Sequence, residues 1–356
     1  MSSPGADRAE KRRRVMQVLD ERGAEAVLLE SHTAVSWYLD GARAHVSLAG
    51  PPVAGVLVHR DGDEVVTSSS EAARLTAEEL PGDVRLHELP WHASLNAPES
   101  WFPDARSMAV LAEDCLAVPL RAARASLLPG ESLRYEALCQ VAAAVLTDVL
   151  SRASPRTTER EVAAELAAGL VLRGADPLVL LCSGAERLAY RHPLPTAGPL
   201  GRRAMAVVCA RRDGLIANVT RWVRFGPASA EETGAEARIA EVEADVLDAL
   251  RPGLPLADVL PVLQQAYPRH GFDADEWTRH HQGGPAGYAG RDPRLAPGVP
   301  DRVHEHQAFA WNPSALGAKI EDTVLLDADG PRPLSVDPRW PVVRVRGRDR
   351  PAVLER

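Results

Sequence analysis

The sequence predicts a two-domain α/β protein, and three observations predict it. Residues 13–126 alternate short helical and strand patterns. The segment Leu127-Leu128-Pro129-Gly130 then punctuates the chain as a domain boundary would. Beyond it, long helical patterns are interleaved with longer apolar strands ending in turn signals. A length of 356 residues is enough for two domains with a sizeable core. The expected boundaries are a flexible N-terminus over 1–12, a first domain over 13–126, a second over 127–340, and a C-terminal tail over 341–356.

Taken in order, residues 10–22 carry Val15, Met16 and Leu19 at helical spacing, and Gly23 closes the run. Ala26–Leu29 and Val53–Val58 read as strands, the second turned by Arg60-Asp61-Gly62 into Val65-Val66, and Ala109–Leu111 as a later buried strand. After the boundary, Leu133, Ala137, Val141, Val145 and Val149 recur at every fourth position and predict one apolar helix face. Thr158 with Glu161 forms a capping box that opens a helix to Leu172, stopped by Gly174. Met205–Cys209 reads as a central strand, and Asp213-Gly214 as a hairpin turn into Leu215–Val219 and Trp222–Phe225. A second capping box, Thr233 with Glu236, is expected to open a helix carrying Ile239, Val242, Val246 and Leu250, ended by Pro252-Gly253. A short helix over Ala257–Tyr267 and strands over Gln307–Trp311 and Thr323–Leu326, with a turn at Asp329-Gly330, complete the reading.

Composition narrows function mainly by exclusion. The 41 basic and 49 acidic residues leave a formal charge of −8, which argues against nucleic acid or an anionic membrane as the main partner. No run approaches the ~18 apolar residues of a membrane span. The run Arg12-Arg13-Arg14 lacks a following apolar region, so it reads as a frayed terminus rather than a secretion signal. Cys115, Cys139, Cys182 and Cys209 form no C-x-x-C pair and sit among apolar neighbours, as buried thiols of a reducing cytoplasm would. Lys11 and Lys319 are the only lysines, which with the many alanines reads as a coding bias.

Six stretches in order carry a resemblance. They are ERGAEAVLLESHTAVSWYLDG, TTEREVAAELA, CSGAERLAYRHPLPT, GLIANVTRWVRFG, HHQGGPAGYAGRDPR and AFAWNPSALGAKIEDTVLL. In that order they resemble the creatinase/aminopeptidase P/methionine aminopeptidase superfamily. The resemblance implies a small N-terminal creatinase-like α/β domain followed by a C-terminal α+β pita-bread domain. It also implies a cytoplasmic homodimer acting on a small-molecule substrate.

The metallopeptidases of that superfamily hold two divalent ions with two aspartates, one histidine and two glutamates, because carboxylates must neutralise dications held close together. Here Val207, Asn218, Gly284 and Asn312 stand at four of those positions, and only Glu321 matches. The resemblance therefore implies no metal and no other cofactor. Creatinase, similar in fold, works without metal through a histidine, and His192 matches that histidine. An imidazole near its ordinary pKa suits general acid/base work.

His280 matches a second active-site histidine. His281 is expected to point away from it, and it completes the substrate-binding candidates with Arg291, Asn218, Thr220 and Asn312. Arg291 suits a substrate carboxylate, or a structural bridge to Asp292 or Glu321. Glu321 is expected to receive a cation or to orient His192. Trp37, Tyr38, Arg43 and His45 lie in a region similar to the cap over the pocket, and Arg43 is the candidate contact there. The expected function is a metal-independent creatinase-like enzyme that hydrolyses a C–N bond of a small polar or charged substrate. Its alternatives are a non-catalytic pita-bread binding protein and an Xaa-Pro aminopeptidase-type metallopeptidase with unusual ligands.

Overall fold

Helix formation starts earlier than the basic run suggests. The computed structural model describes residues 6–356. Of the stretch 1–12 expected to be flexible, residues 1–5 lie outside the described residues, and 6–12 belong to helix α1 (Ala6–Arg22). The basic run holds that helix rather than fraying it. Arg12 pairs with Asp63 and donates to the His59 carbonyl at 2.8 Å, Arg8 reaches Asp63 at 2.7 Å, and Arg14 donates to the Ser126 carbonyl at 2.8 Å. Val15 and Leu19 are fully buried beneath it.

The chain divides into two compact units, Met1–Glu131 and Ser132–Arg356, slightly beyond the expected boundary at 126/127. In the first unit, α1 leads to β1 (Ala26–Leu29), α2 (His32–Tyr38), β2 (Ala54–His59) and β3 (Gly62–Ser68). Then come α3 (Ala72–Glu78), β4 (Arg85–Leu89), α4 (Pro98–Trp101), β5 (Val110–Ala112) and α5 (Ala117–Ala125). The strands form one mixed sheet in the order β4-β3-β2-β1-β5. Strands β1 and β2 are buried along their whole length, as a strand covered on both faces must be.

The second unit contains nearly all of α6 (Pro129–Leu150), then α7 (Glu159–Val171), β6 (Asp176–Ser183), β7 (Arg203–Arg212), β8 (Leu215–Arg224), α8 (Ala230–Ala249) and α9 (Val259–Arg269). After these come β9 (Gly283–Ala286), β10 (Ala308–Trp311), β11 (Ser314–Ala315), β12 (Ala318–Lys319), β13 (Asp322–Asp327) and β14 (Gly330–Pro333). The last strands are β15 (Val342–Val345), β16 (Arg348–Pro351) and β17 (Leu354–Glu355). One sheet runs β17-β8-β7-β6 and another β14-β13-β10-β9. They are joined through backbone bonds such as Thr220 N–H to the Glu321 carbonyl at 3.0 Å.

Several local expectations need correction. Leu133 is 67% exposed, and the buried face of α6 is instead Tyr135, Leu138, Cys139, Ala142, Val145, Leu146 and Val149. A strict spacing of four drifts around a helix of 3.6 residues per turn, so it cannot stay on one face. The box opening α8 is Ser229 with Glu232, one turn before Thr233 and Glu236. Glu236 instead accepts from Arg203 and Arg224 at 2.9 and 2.8 Å. Strand β8 runs unbroken through the two stretches read as separate strands. Cys115 is exposed, whereas Cys139 and Cys182 are buried.

Residues 341–356 are no loose tail. β15 and β16 form a hairpin, and β17 pairs in parallel with β8. Arg350 on that hairpin is 2% exposed and holds Glu243 at 2.6 and 2.7 Å and Asp322 at 3.0 Å. Arg221 meets the same Asp322 at 2.9 Å. Removing one member of such a set leaves a charge buried without its counter-ion. Arg350→Ala is therefore expected to cost about 3–5 kcal/mol, read as a lowered midpoint in a urea titration.

Candidate functional site

The glycines after the paired histidines fix the site's backbone. Gly283 and Gly284 take φ of 105° and 143°, which side chains rarely adopt. A Cβ on Gly283 would meet the Ala310 carbonyl oxygen at 2.2 Å, and one on Gly284 the Pro293 carbonyl oxygen at 2.6 Å. The loop before them is braced by Gln282, which donates to the carbonyls of His280 at 2.6 Å and Trp277 at 3.0 Å and accepts from Tyr267 at 2.7 Å. The loop bearing His192 is tied by Arg191, which pairs with Glu276 and donates to Ser314 Oγ at 3.3 Å.

These constraints bring three imidazoles together. His280 Nε2 lies 3.0 Å from His192 Nε2, and the rings of His280 and His281 stack at 4.4 Å. His281 thus joins the cluster instead of pointing elsewhere. One ring nitrogen from each of the three lies within 4.8 Å of the others. Burial is the first cause that lowers all three proton affinities, with nearby cations adding to it. It brings His281 down to about 4 and His280 to about 2, and shifts His192 in the same direction. Lys319 assists at His192 and His280, and Arg291 at His281.

His192 and His281 share a cavity of about 700 Å³ with Glu321. Glu321 is 2% exposed, and its oxygens are fully engaged. Arg291 donates to Oε1 at 2.7 Å, while Lys319 at 2.9 Å and the Thr220 hydroxyl at 2.7 Å meet Oε2. Burial alone would raise this carboxyl, but Lys319 and Arg291 outweigh it and hold it far below the usual carboxylate range. The cation that the sequence reading expected at Glu321 thus comes from the chain itself, twice over. The bridge expected of Arg291 goes to Glu321.

Asn218 and Asn312 also line the cavity, beside Val207, Cys209 and Arg294. Asn218 donates to the Ile216 carbonyl at 3.1 Å and accepts from Cys209 at 3.2 Å, and the Asn312 Oδ1 is buried without a hydrogen-bond partner. Burial raises the Cys209 thiol to about 12, so it stays protonated near neutrality. Thr220 spends its hydroxyl on Glu321. Arg43 belongs to the first unit, where Glu79 holds it at 2.5 Å. Sequence reasoning gave no role to Lys319, Arg294 or Gln282. The one available signal was the scarcity of lysine.

The histidine shifts set a pH dependence. In the unfolded chain these rings titrate near 6.5, so between about pH 4 and 6.5 the unfolded state binds more protons than the folded one. Stability is therefore expected to rise with pH through that window, by at most about 1.4 kcal/mol per unit for each such group. Melting temperature against pH should be less steep in His281→Asn than in the parent. Parallel curves would show that this ring does not contribute.

Residues 134–328 match the family model of Metallopeptidase family M24. Among solved structures, the prolidase of Pyrococcus horikoshii OT3 superposes with a TM-score of 0.74 at 16% identity, covering 93% of this chain and 99% of that one. The Xaa-Pro dipeptidase of Bacillus anthracis gives 0.73 at 16% identity, with 98% and 99% covered. The N-terminal domain of the FACT complex subunit SPT16 from chickpea gives 0.69 at 12% identity, with 93% and 97% covered. No curated protein sequence matches the chain significantly. The likeness confirms the pita-bread fold that the six stretches predicted, and the family match spans more than half of the chain: it is a member of metallopeptidase family M24.

Proposed function

We propose that this protein hydrolyses an amide-type C–N bond in a small peptide-like substrate that carries a carboxylate, and that it does so without paired metal ions. The observation that carries this reading is the state of Glu321. The carboxylate that lines the cavity is already neutralised by Lys319 and Arg291. Val207, Asn218 and Asn312 beside it bring no charge. Two dications a few ångströms apart need anionic bridging, so this donor set does not fit them. Gly284 cannot be exchanged for a ligand on this backbone, because its Cβ would strike Pro293.

His192 and His280 are the proton-carrying pair in this reading. With both rings neutral near pH 7, one Nε2–H donates across the 3.0 Å contact and the other Nε2 accepts. His192, at the exposed edge of the cluster, takes a proton from the attacking water and returns it to the leaving nitrogen. Arg291, Arg294 and Lys319 outnumber the one carboxylate, which suits a substrate anion. The structural likeness to a prolidase and an Xaa-Pro dipeptidase supports a peptide-like C–N bond. The active species in this reading is a cytoplasmic homodimer, which sedimentation would test.

A second reading is a metallopeptidase with unusual ligands, and the histidine cluster favours it. Three imidazoles within 4.8 Å, with the Nδ1 atoms of His280 and His281 buried and unpartnered, are a donor set for one transition-metal ion.

A panel of Xaa-Pro and other dipeptides separates the readings. Hydrolysis should persist after chelator treatment, and His192→Ala should lower kcat by about 10²–10⁴. Unchanged kcat in that variant rejects the mechanism. One tightly held metal equivalent, lost together with activity in His281→Ala, supports the second reading, and two equivalents in the parent overturn the first. Binding without conversion would make the protein a recognition module.

A further inference from the structure

We propose that Lys319 is the electrophile of this site: its ammonium, with the Arg291 guanidinium beside it, receives the carbonyl oxygen of the scissile bond and stabilises the negative charge that forms there. The inference rests on the hydrolase reading above and deepens it.

Composition singles this residue out first. Of 41 basic side chains, only Lys11 and Lys319 are lysines. In a chain so biased towards arginine, a lysine is an unusual choice, and it supplies a compact, rotatable ammonium that a planar guanidinium does not. Lys11 is fully buried between Asp40 at 2.7 Å and Glu131 at 2.9 Å, which is a structural use. Lys319 is 8% exposed and lines the catalytic cavity.

Placement comes second. Lys319 stands on β12, the return strand of a tight hairpin whose turn contains Gly317 at φ 68°. Its carbonyl is pinned by Trp222 Nε1 at 2.8 Å. Its ammonium is steered by Glu321 at 2.9 Å. That contact engages one of three rotatable donors, so a substrate oxygen can be met by another, which a planar guanidinium in the same place would not manage.

The third observation is unsatisfied polarity. Asn312 Oδ1 and Arg291 Nε are both buried without partners at this cavity. Arg291 Nε–H is a donor that an anionic oxygen satisfies, whereas Asn312 Oδ1 is an acceptor that an N–H or O–H of the ligand satisfies. Excess positive charge among low-dielectric walls makes that ligand an anion or a developing oxyanion.

The step balances without any oxidant or other co-reactant. Water oxygen attacks the carbonyl carbon as the ring nitrogen of His192 that is not engaged by His280 removes its proton, and the carbonyl π pair moves onto the oxygen that Lys319 holds. The pair then returns, the C–N bond breaks, and the proton passes from His192 to the leaving nitrogen. The products are a carboxylic acid and an amine, and Lys319 keeps its protons throughout.

Inorganic phosphate, a tetrahedral anion, probes the site independently of turnover. Calorimetric titration of the full chain at low ionic strength should show binding, weakened at least about tenfold in Lys319→Met because a charge-assisted contact is lost. If that variant misfolds, Lys319→Met with Glu321→Gln removes both partners of the pair and is titrated in its place. Absence of phosphate binding in the parent, or equal binding in a folded variant, overturns the proposal. Where the dipeptide panel yields a substrate, Lys319→Met should lower kcat by about 10²-fold or more with little change in KM, and an unchanged kcat is equally fatal. If no substrate is found while phosphate binding depends on Lys319, the hydrolase reading falls and the electrophile falls with it, leaving an anion-binding site.

Discussion

A carboxylate taken out of water must be met by cations or take up a proton, and the site follows from how Glu321 meets that demand. It is held between Lys319 and Arg291, with Thr220 completing its coordination. This places two positive charges at the centre of a cavity whose other walls include Arg294, two amides, valines and two imidazoles. The histidines are neutral for a related reason. Burial already disfavours their charged forms, and Lys319 adds repulsion at all three while Arg291 adds it at His281. A neutral imidazole can accept a proton near pH 7, whereas an imidazolium cannot, so the ion pairs at Glu321 also set the chemistry available to His192.

The scaffold supports this arrangement from behind. Asp322, next in sequence to Glu321, is held by Arg221 and Arg350, and Arg350 also grips Glu243. Successive residues of an extended strand point to opposite faces, so the two adjacent acids serve different purposes. Glu321 faces the cavity with its cations, and Asp322 fixes β13 to β8 and to the C-terminal hairpin. The segment read from sequence as a tail is therefore part of the structure on which the site stands.

Much of the fold was legible in the sequence, because it rests on short-range rules. The box at Thr158 and Glu161, the turn at Asp213-Gly214, and the helix stops at Gly23 and Gly174 all depend on residues a few positions apart, and each appears where local chemistry puts it. Errors arose where two local solutions competed. Ser229 and Thr233 are both acceptable caps, and what separates them is that Glu236 is needed by Arg203 and Arg224 across the sheet. The run Arg12-Arg13-Arg14 looked like a solvated terminus because Asp63, the counter-charge of Arg12, lies far along the chain.

By itself the sequence determined the pita-bread fold and the order of its motifs. It also offered His192, His280, Arg291 and Glu321 as residues worth placing. Only the tertiary structure decided that His281 stacks into the cluster, that Thr220 is committed to Glu321, and that Lys319 enters the cavity beside Arg291. The physical reason is range. Capping, turns and periodicity act over a few residues, whereas proton affinity and ion pairing depend on distances of a few ångströms between side chains such as those of Thr220 and Glu321, 101 residues apart in sequence. No local pattern encodes those distances, so the sign of the site's charge, and with it the class of ligand it suits, could be read only after the chain had folded.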